Sequence, residues 1–246
     1  MCTLTIIPRT DGGWRLAFNR DESRTRPAAL PPQRCRFGER EALLPIDPAS
    51  GGTWLAVNDA GLVLALLNVN PPARPRRRIR RSRGTIIPAL LGAGSLAEAG
   101  ELFERLFVAD CQPFLLVVAY ESALATWRYD GSTLDQTEID AIHRPMMFTS
   151  SGLGDHLVER PRRALFRDLF GDAADWEQQQ DLFHQHSWPE SPHLSVCMRR
   201  ADACTVSHTL VEWDDATAWV TYHPSDPDSA ARPALGLLHF ATASVS

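Results

Sequence analysis

The chain has 246 residues, 44% hydrophobic and 22% charged, with a formal net charge of −5. That is enough apolar residue for a large core, and no linker, repeat or low-complexity stretch divides it, so one domain over 1–246 is expected. The acidic balance disfavours nucleic acid as a partner, no apolar run reaches the roughly 18 residues that span a bilayer, and all 25 basic residues are Arg, which rules out P-loop, Schiff-base and Ser–Lys chemistry.

The first elements read as hairpins. Thr3 to Ile7 is a short β-rich run, Asp11-Gly12-Gly13 is a turn signal, and Trp14, Leu16 and Phe18 alternate with Arg15, Ala17 and Asn19 as a half-buried strand. Thr25 to Pro48, rich in Pro and Arg, reads as a loop. A second hairpin follows: Thr53 to Val57, a turn at Asn58-Asp59-Ala60-Gly61, and Leu62 to Val69, apolar throughout like a strand buried on both faces. Helices are expected at Thr85 to Leu91, at Ser95 to Phe107 with Ser95 and Glu98 as a capping box, at Pro161 to Phe170 with proline at the first position, and at Trp176 to His186. Strands are expected at Pro113 to Tyr120, Leu124 to Tyr129 and Met146 to Ser150, and a meander at Leu194 to Arg199, Thr205 to Trp213 and Ala218 to Tyr222. The order predicts an α+β fold with helices covering antiparallel sheets.

Cys2 is the most informative residue. Trimming of the initiator Met before a small side chain would place a thiol and a free α-amine on one residue, and an amine of pKa about 7.7–8.0 can accept the thiol proton. An antiparallel second strand would bring up Asn19-Arg20-Asp21-Glu22. An Arg there favours thiolate, and a carboxylate orients the amine. Asn68, at the end of the fourth strand, offers an amide to a developing oxyanion.

MCTL at the start, NRDE at 19–22 and GGTWLAVNDAGLVLALLN at 51–68 resemble the NRDE family, also called the transport-and-Golgi-organisation-2 family. The same segments are more distantly similar to N-terminal-nucleophile hydrolases of the choloylglycine hydrolase and penicillin V acylase type. The matching residues are Cys2-Thr3, Arg20 with Asp21, Asn58-Asp59-Ala60-Gly61-Leu62 and Leu67-Asn68. The resemblance implies a four-layer αββα sandwich, with Cys2 as nucleophile and base, Arg20 and Asp21 as its supports and Asn68 as oxyanion donor.

Two departures from the hydrolase pattern stand out. Arg20 and Asp21 are adjacent, and adjacent strand residues face opposite ways, so a bulge or the strand end must intervene, or Glu22 replaces Asp21. Thr149-Ser150 stands where the hydrolases carry Thr-Asn, and no later Arg matches convincingly, His193 and Arg199 being only nearby. Asn19, Glu22, Asn58 and Ser150 are the further pocket candidates.

The expected activity is cleavage of a linear non-peptide amide through an acyl-thioester on Cys2, with no cofactor and a small amide or acyl ligand as partner. The alternative is a carrier of haem or of lipid and acyl-CoA on the same fold, without turnover. His184, Gln185, His186 and His193 have poor spacing for a metal and read as a polar helix end and loop. Arg74, Arg76, Arg77, Arg78, Arg80, Arg81 and Arg83 read as a solvated loop, with an anionic ligand as the sharper possibility. Cys197 and Cys204 read as buried strand residues. Five cysteines, an odd number, and a start without a basic n-region point to reduced cytosol. The Arg, Ala and Leu bias suggests a GC-rich bacterial genome.

Overall fold

The structure, a computed structural model, describes residues 2–71, 81–171, 173–225 and 232–240. Its strands form two sheets. The first, in the order β10-β1-β2-β11-β12-β13, comprises Met146–Ser150, Cys2–Pro8, Trp14–Ser23, Ala203–Trp213, Thr217–His223 and Ala234–His239. The second runs β3 to β9 in sequence order: Leu30–Phe37, Arg40–Ile46, Leu55–Asn58, Val63–Asn68, Phe114–Tyr120, Ala123–Tyr129 and Leu134–Ile139.

Alternation along each strand builds the layers. Leu4, Ile6, Leu16 and Phe18 of the first sheet meet Leu55, Val57, Val63 and Ala65 of the second in one core. Ala56, Leu64, Leu66 and Leu116 point the other way, under helices α1 (Ile86–Leu90) and α2 (Leu96–Glu104). Ile7 and Met147 pack beneath α3 (Asp155–Phe170) and α4 (Trp176–Gln185) with Phe170 and Phe183. The result is the four-layer αββα sandwich. β6 is central and buried on both faces, as its unbroken apolar run requires.

Three expectations are corrected, and two strands, β9 and β13, stand where none was expected. The supposed loop at 25–48 carries β3 and β4. Pro31 and Pro32 sit on an edge strand where the register shifts between Leu30 and Gln33, and Pro45 of the interior strand β4 stands at a position paired with neither neighbour. Helix α3 starts at Asp155, making Pro161 interior; Asp155 carboxylate oxygens accept from the N–H groups of Ser151 and Asn70, both at 2.8 Å, and fix the helix start. Residues 194–199 are not a strand: the carbonyls of Leu194 and Ser195 accept from Arg162 and that of Val196 from Asn19, leaving only an isolated bridge from Arg199 to Cys204. β9 and β13 lack the apolar pattern by which strands such as β2 and β6 are read. β9 is an exposed edge.

The capping box at α2 is displaced by one residue. Ser95 Oγ accepts from the Glu98 N–H at 3.2 Å, but Glu98 Oε2 accepts from Gly94 rather than from Ser95. Ser95→Ala is expected to cost about 1 kcal/mol, read as a lower urea midpoint at unchanged slope.

Candidate functional site

Strand register builds the first half of the site. In β1, Cys2 lies opposite Arg20 of β2 on one side and Ser150 of β10 on the other. The even residues of β1 face the space between the sheets, so the Cys2 side chain points there and is 6% exposed. Its backbone nitrogen donates to Ser150 Oγ at 3.0 Å. Arg20 shares that face. Its guanidinium stacks 4.1 Å over the Trp54 ring and reaches Glu22 at 3.5 Å and Asp47 at 3.7 Å. Asp47 also binds Arg26 and Ser50. Burial pushes the Asp47 carboxyl up, but hydrogen bonds from Arg26, the Ala49 N–H and Ser50 outweigh it and hold it below the usual range.

Asp21 points to the opposite face of β2, as adjacent strand positions must. No bulge intervenes in the β1–β2 pair; the register shift in this region is on β11, between Thr205 and Ser207. Asp21 Oδ1 accepts from Thr205 Oγ1 at 2.6 Å. Because Cys2 stands at the strand end, both charges still act on it. Burial pushes the Cys2 thiol up and Asp21 adds to the rise, while the positive N-terminus and Arg20 pull it down. Burial likewise raises the Asp21 carboxyl, opposed first by Arg162 and then by the N-terminus. Glu22 is held among Arg20 and Arg26, so the two carboxylates divide between the two faces of β2.

The second sheet supplies the other wall. Gly52 and Gly84 touch: a Cβ on Gly52 would lie 2.7 Å from Gly84 Cα, so two glycines are needed for the segment at 82–84 to lie against the loop before Trp54. Together with the ends of β1, β2 and β6, these segments enclose a cavity of about 150 Å³ lined by Cys2, Arg20, Asp21, Glu22, Trp54 and Asn68, with Arg26, Asp47 and Arg83 around them. A larger cavity of about 370 Å³ shares Arg20, Glu22 and Arg26 as wall and continues past Ala28, Cys204 and Tyr222.

The structure therefore brings Cys2, Arg20, Asp21, Glu22, Asn68 and Ser150 together. It does not place Asn19 or Asn58 at this cavity. Asn19 faces the helices, donating to the carbonyls of His184 at 2.8 Å and Val196 at 3.1 Å and accepting at Oδ1 from His208. Asn58 closes its own turn, accepting from Ala60 and Leu62 and donating to the carbonyls of Leu91 and Ala93. Of the arginine run, Arg74, Arg76, Arg77, Arg78 and Arg80 lie outside the described residues, as does Met1; Arg83 lines the cavity.

His184 is not a polar helix end. It is fully buried, with Nε2 2.8 Å from Thr5 Oγ1 and its ring 5.3 Å from that of His208. Cys197 is buried but outside any strand, and Cys204 is half-buried in β11. Among the described residues no group of three His, Cys, Asp or Glu is placed to hold a metal, and no helix is long and apolar enough to cross a membrane.

Sequence reasoning missed Arg162, on α3. The residue is 1% exposed, and Nη1 donates to Thr3 Oγ1 at 2.8 Å and Thr149 Oγ1 at 2.7 Å. Arg at that position stands in a charged helical stretch, ERPRR, where nothing distinguishes the buried residue from its neighbours.

An αββα sandwich with a Cys at the free end of its first strand, over a cavity between the sheets, is the N-terminal-nucleophile hydrolase type of fold. Solved structures bear this out. The C2A mutant of a conjugated bile acid hydrolase from Clostridium perfringens superposes with a TM-score of 0.54 at 12% identity, covering 97% of this chain and 92% of that one. A second variant of that hydrolase gives 0.53 at 11%, over 100% of both chains. A Caenorhabditis elegans ortholog of N-acylethanolamine-hydrolyzing acid amidase gives 0.56 at 15%, covering 86% and 92%. No curated protein matches the sequence. The family model for Transport and Golgi organisation 2 matches residues 1–187, and the chain belongs to that family.

Proposed function

We propose that the chain is an amidohydrolase that cleaves a linear, non-peptide C–N bond through Cys2. The observation that carries this reading is the meeting of Cys2, Arg20 and Asn68 at one cavity between the sheets, with Ser150 on the Cys2 nitrogen. The bile acid hydrolase and amidase names of the structural neighbours support the reaction class.

Removal of Met1 turns the Cys2 nitrogen into an α-amine. Because burial holds the thiol in its neutral form, the amine is needed as base. It takes the thiol proton as sulfur attacks the amide carbonyl. The Asn68 side-chain amide donates to the resulting oxyanion. Collapse breaks the C–N bond, the ammonium returns its proton to the leaving amine, and an acyl-thioester remains on Cys2. Water then attacks the thioester, giving its proton to the amine. The carboxylic acid departs and the thiol is restored. Arg20 favours the thiolate, and Asp21 and Ser150 hold the amine.

The test is intact mass of the purified protein together with turnover of a panel of N-acyl aminocoumarins. A mass lacking Met1 and release of coumarin with a transient acyl adduct are expected. Retention of Met1 removes the base and ends this reading; binding of haem or acyl-CoA with no turnover replaces it with the carrier function.

A further inference from the structure

We infer that Arg162 is a positioning residue for the Cys2 site, fixing from the helix side the strand pair that carries the nucleophile and the hydroxyl on its nitrogen. The inference rests on the reading of Cys2 as nucleophile.

The guanidinium makes its hydrogen bonds to four uncharged oxygens. Besides Thr3 and Thr149, Nε donates to the Leu194 carbonyl at 2.9 Å and Nη2 to that of Ser195 at 2.5 Å. Thr3 and Thr149 are register partners across β1 and β10, with their hydroxyl oxygens 3.3 Å apart. The next pair along the ladder is Cys2 with Ser150, whose hydroxyl accepts from the Cys2 nitrogen. One side chain from α3 thus clamps the residue after the nucleophile and the residue before its nitrogen's acceptor, and also anchors the 194–195 segment.

The charge needs a separate explanation. Bridging two hydroxyls and two carbonyls does not require a cation, and burying one is costly unless its field is used. The negative groups its charge acts on are Asp21, Cys2 in its thiolate form, and Asp155. The first two line the cavity. Arg keeps its charge where Lys would readily lose it, so a guanidinium suits this buried position. At Asp21 the guanidinium is the first charge to oppose the rise that burial causes.

The experiment is the pH profile of Cys2 alkylation by iodoacetamide in the full-length processed protein, followed by intact mass, with thermal melting measured alongside. In Arg162→Gln, labelling at pH 7 is expected to slow about tenfold and the profile to move to higher pH. Arg162→Lys, whose ammonium lacks the fork that reaches all four oxygens, should recover little of the rate. A lower melting temperature with an unmoved profile would show a purely structural residue and overturn the inference. If Arg162→Gln does not fold, Thr149→Val decides, since it withdraws one anchor from the strand pair: slower Cys2 labelling supports the inference, and an unchanged rate overturns it. A wild-type Cys2 that is unlabelled at every pH removes the nucleophile reading and this inference with it. A labelled wild type with unmoved variants removes only this inference.

Discussion

Cys2→Ala is expected to lower amide turnover by at least about a thousandfold and to abolish the acyl adduct, because the reaction loses its only covalent acceptor. The magnitude follows from what remains. Arg20, Asp21 and Asn68 still line the cavity, so substrate binding and oxyanion stabilisation survive, but water must replace sulfur as the attacking group. Cys2→Ser keeps a nucleophile whose hydroxyl is harder to ionise and should retain a trace of activity. Asn68→Ala leaves the nucleophile and removes the oxyanion donor, for a loss of roughly 10²–10³. The fold should tolerate all three, since Cys2 is at a strand end and Asn68 is only half-buried. Residual labelling in Cys2→Ala measures the other thiols, of which Cys35 and Cys204 are partly exposed. Turnover in Cys2→Ala within tenfold of wild type would show that sulfur takes no part in the chemistry.

The half of the site carried by short, local patterns was legible in the sequence. Alternation in β1 and β2 set which residues of the NRDE segment share the Cys2 face, so Arg20 was placed correctly and the conflict between Arg20 and Asp21 was visible in advance. The structure leaves the two on opposite faces of β2, with Cys2 at the strand end where the charges of both act on it, and a strand end is a property of the sheet rather than of the four residues. The 25–48 segment misled because Pro31 and Pro32 are tolerated at an edge and Pro45 at an unpaired position of β4, and edge, centre and pairing are decided by neighbours elsewhere in the sheet. Asn58 and Asn19 looked like pocket amides because an Asn is equally able to line a ligand site or to satisfy buried carbonyls. Their partners, Leu91 and Ala93 for the one and His184 and Val196 for the other, are contributed by distant elements. Arg162 was hidden for the same reason: its role depends on Thr3 and Thr149, 159 and 13 positions away.

Acidification is expected to unfold the protein through two histidines that the fold keeps neutral. His184 and His208 are both buried between the first sheet and α4. Asn19 donates through Nδ2 to two carbonyls, which leaves Oδ1 as acceptor and puts the His208 proton on Nδ1, 2.6 Å away. Burial first, and then the charges of His223 and Arg15, lower His208 from 6.5 to about 3. His184 is pushed well below 6.5 by burial, His208, Arg15 and Arg162. The sign is that of a depressed base. Above pH 6.5 neither the folded nor the unfolded chain is protonated at these rings, and the full stability is present. Between 6.5 and about 3 the unfolded chain binds a proton at His208 that the folded chain refuses, so stability falls with pH by about 1.4 kcal/mol per unit for each such ring. The raised Asp21 carboxyl runs the other way, taking up a proton in the fold above the pH at which the unfolded chain does, and offsets part of the loss. Urea unfolding at pH 7.5, 6.0 and 5.0 should show a stability that is level to near pH 6.5 and then drops steeply, with unfolding in buffer alone by about pH 4–5. A stability that stays level from pH 7.5 to 5.0 would mean that these rings are protonated in the folded protein, and the buried neutral pair would have to be abandoned.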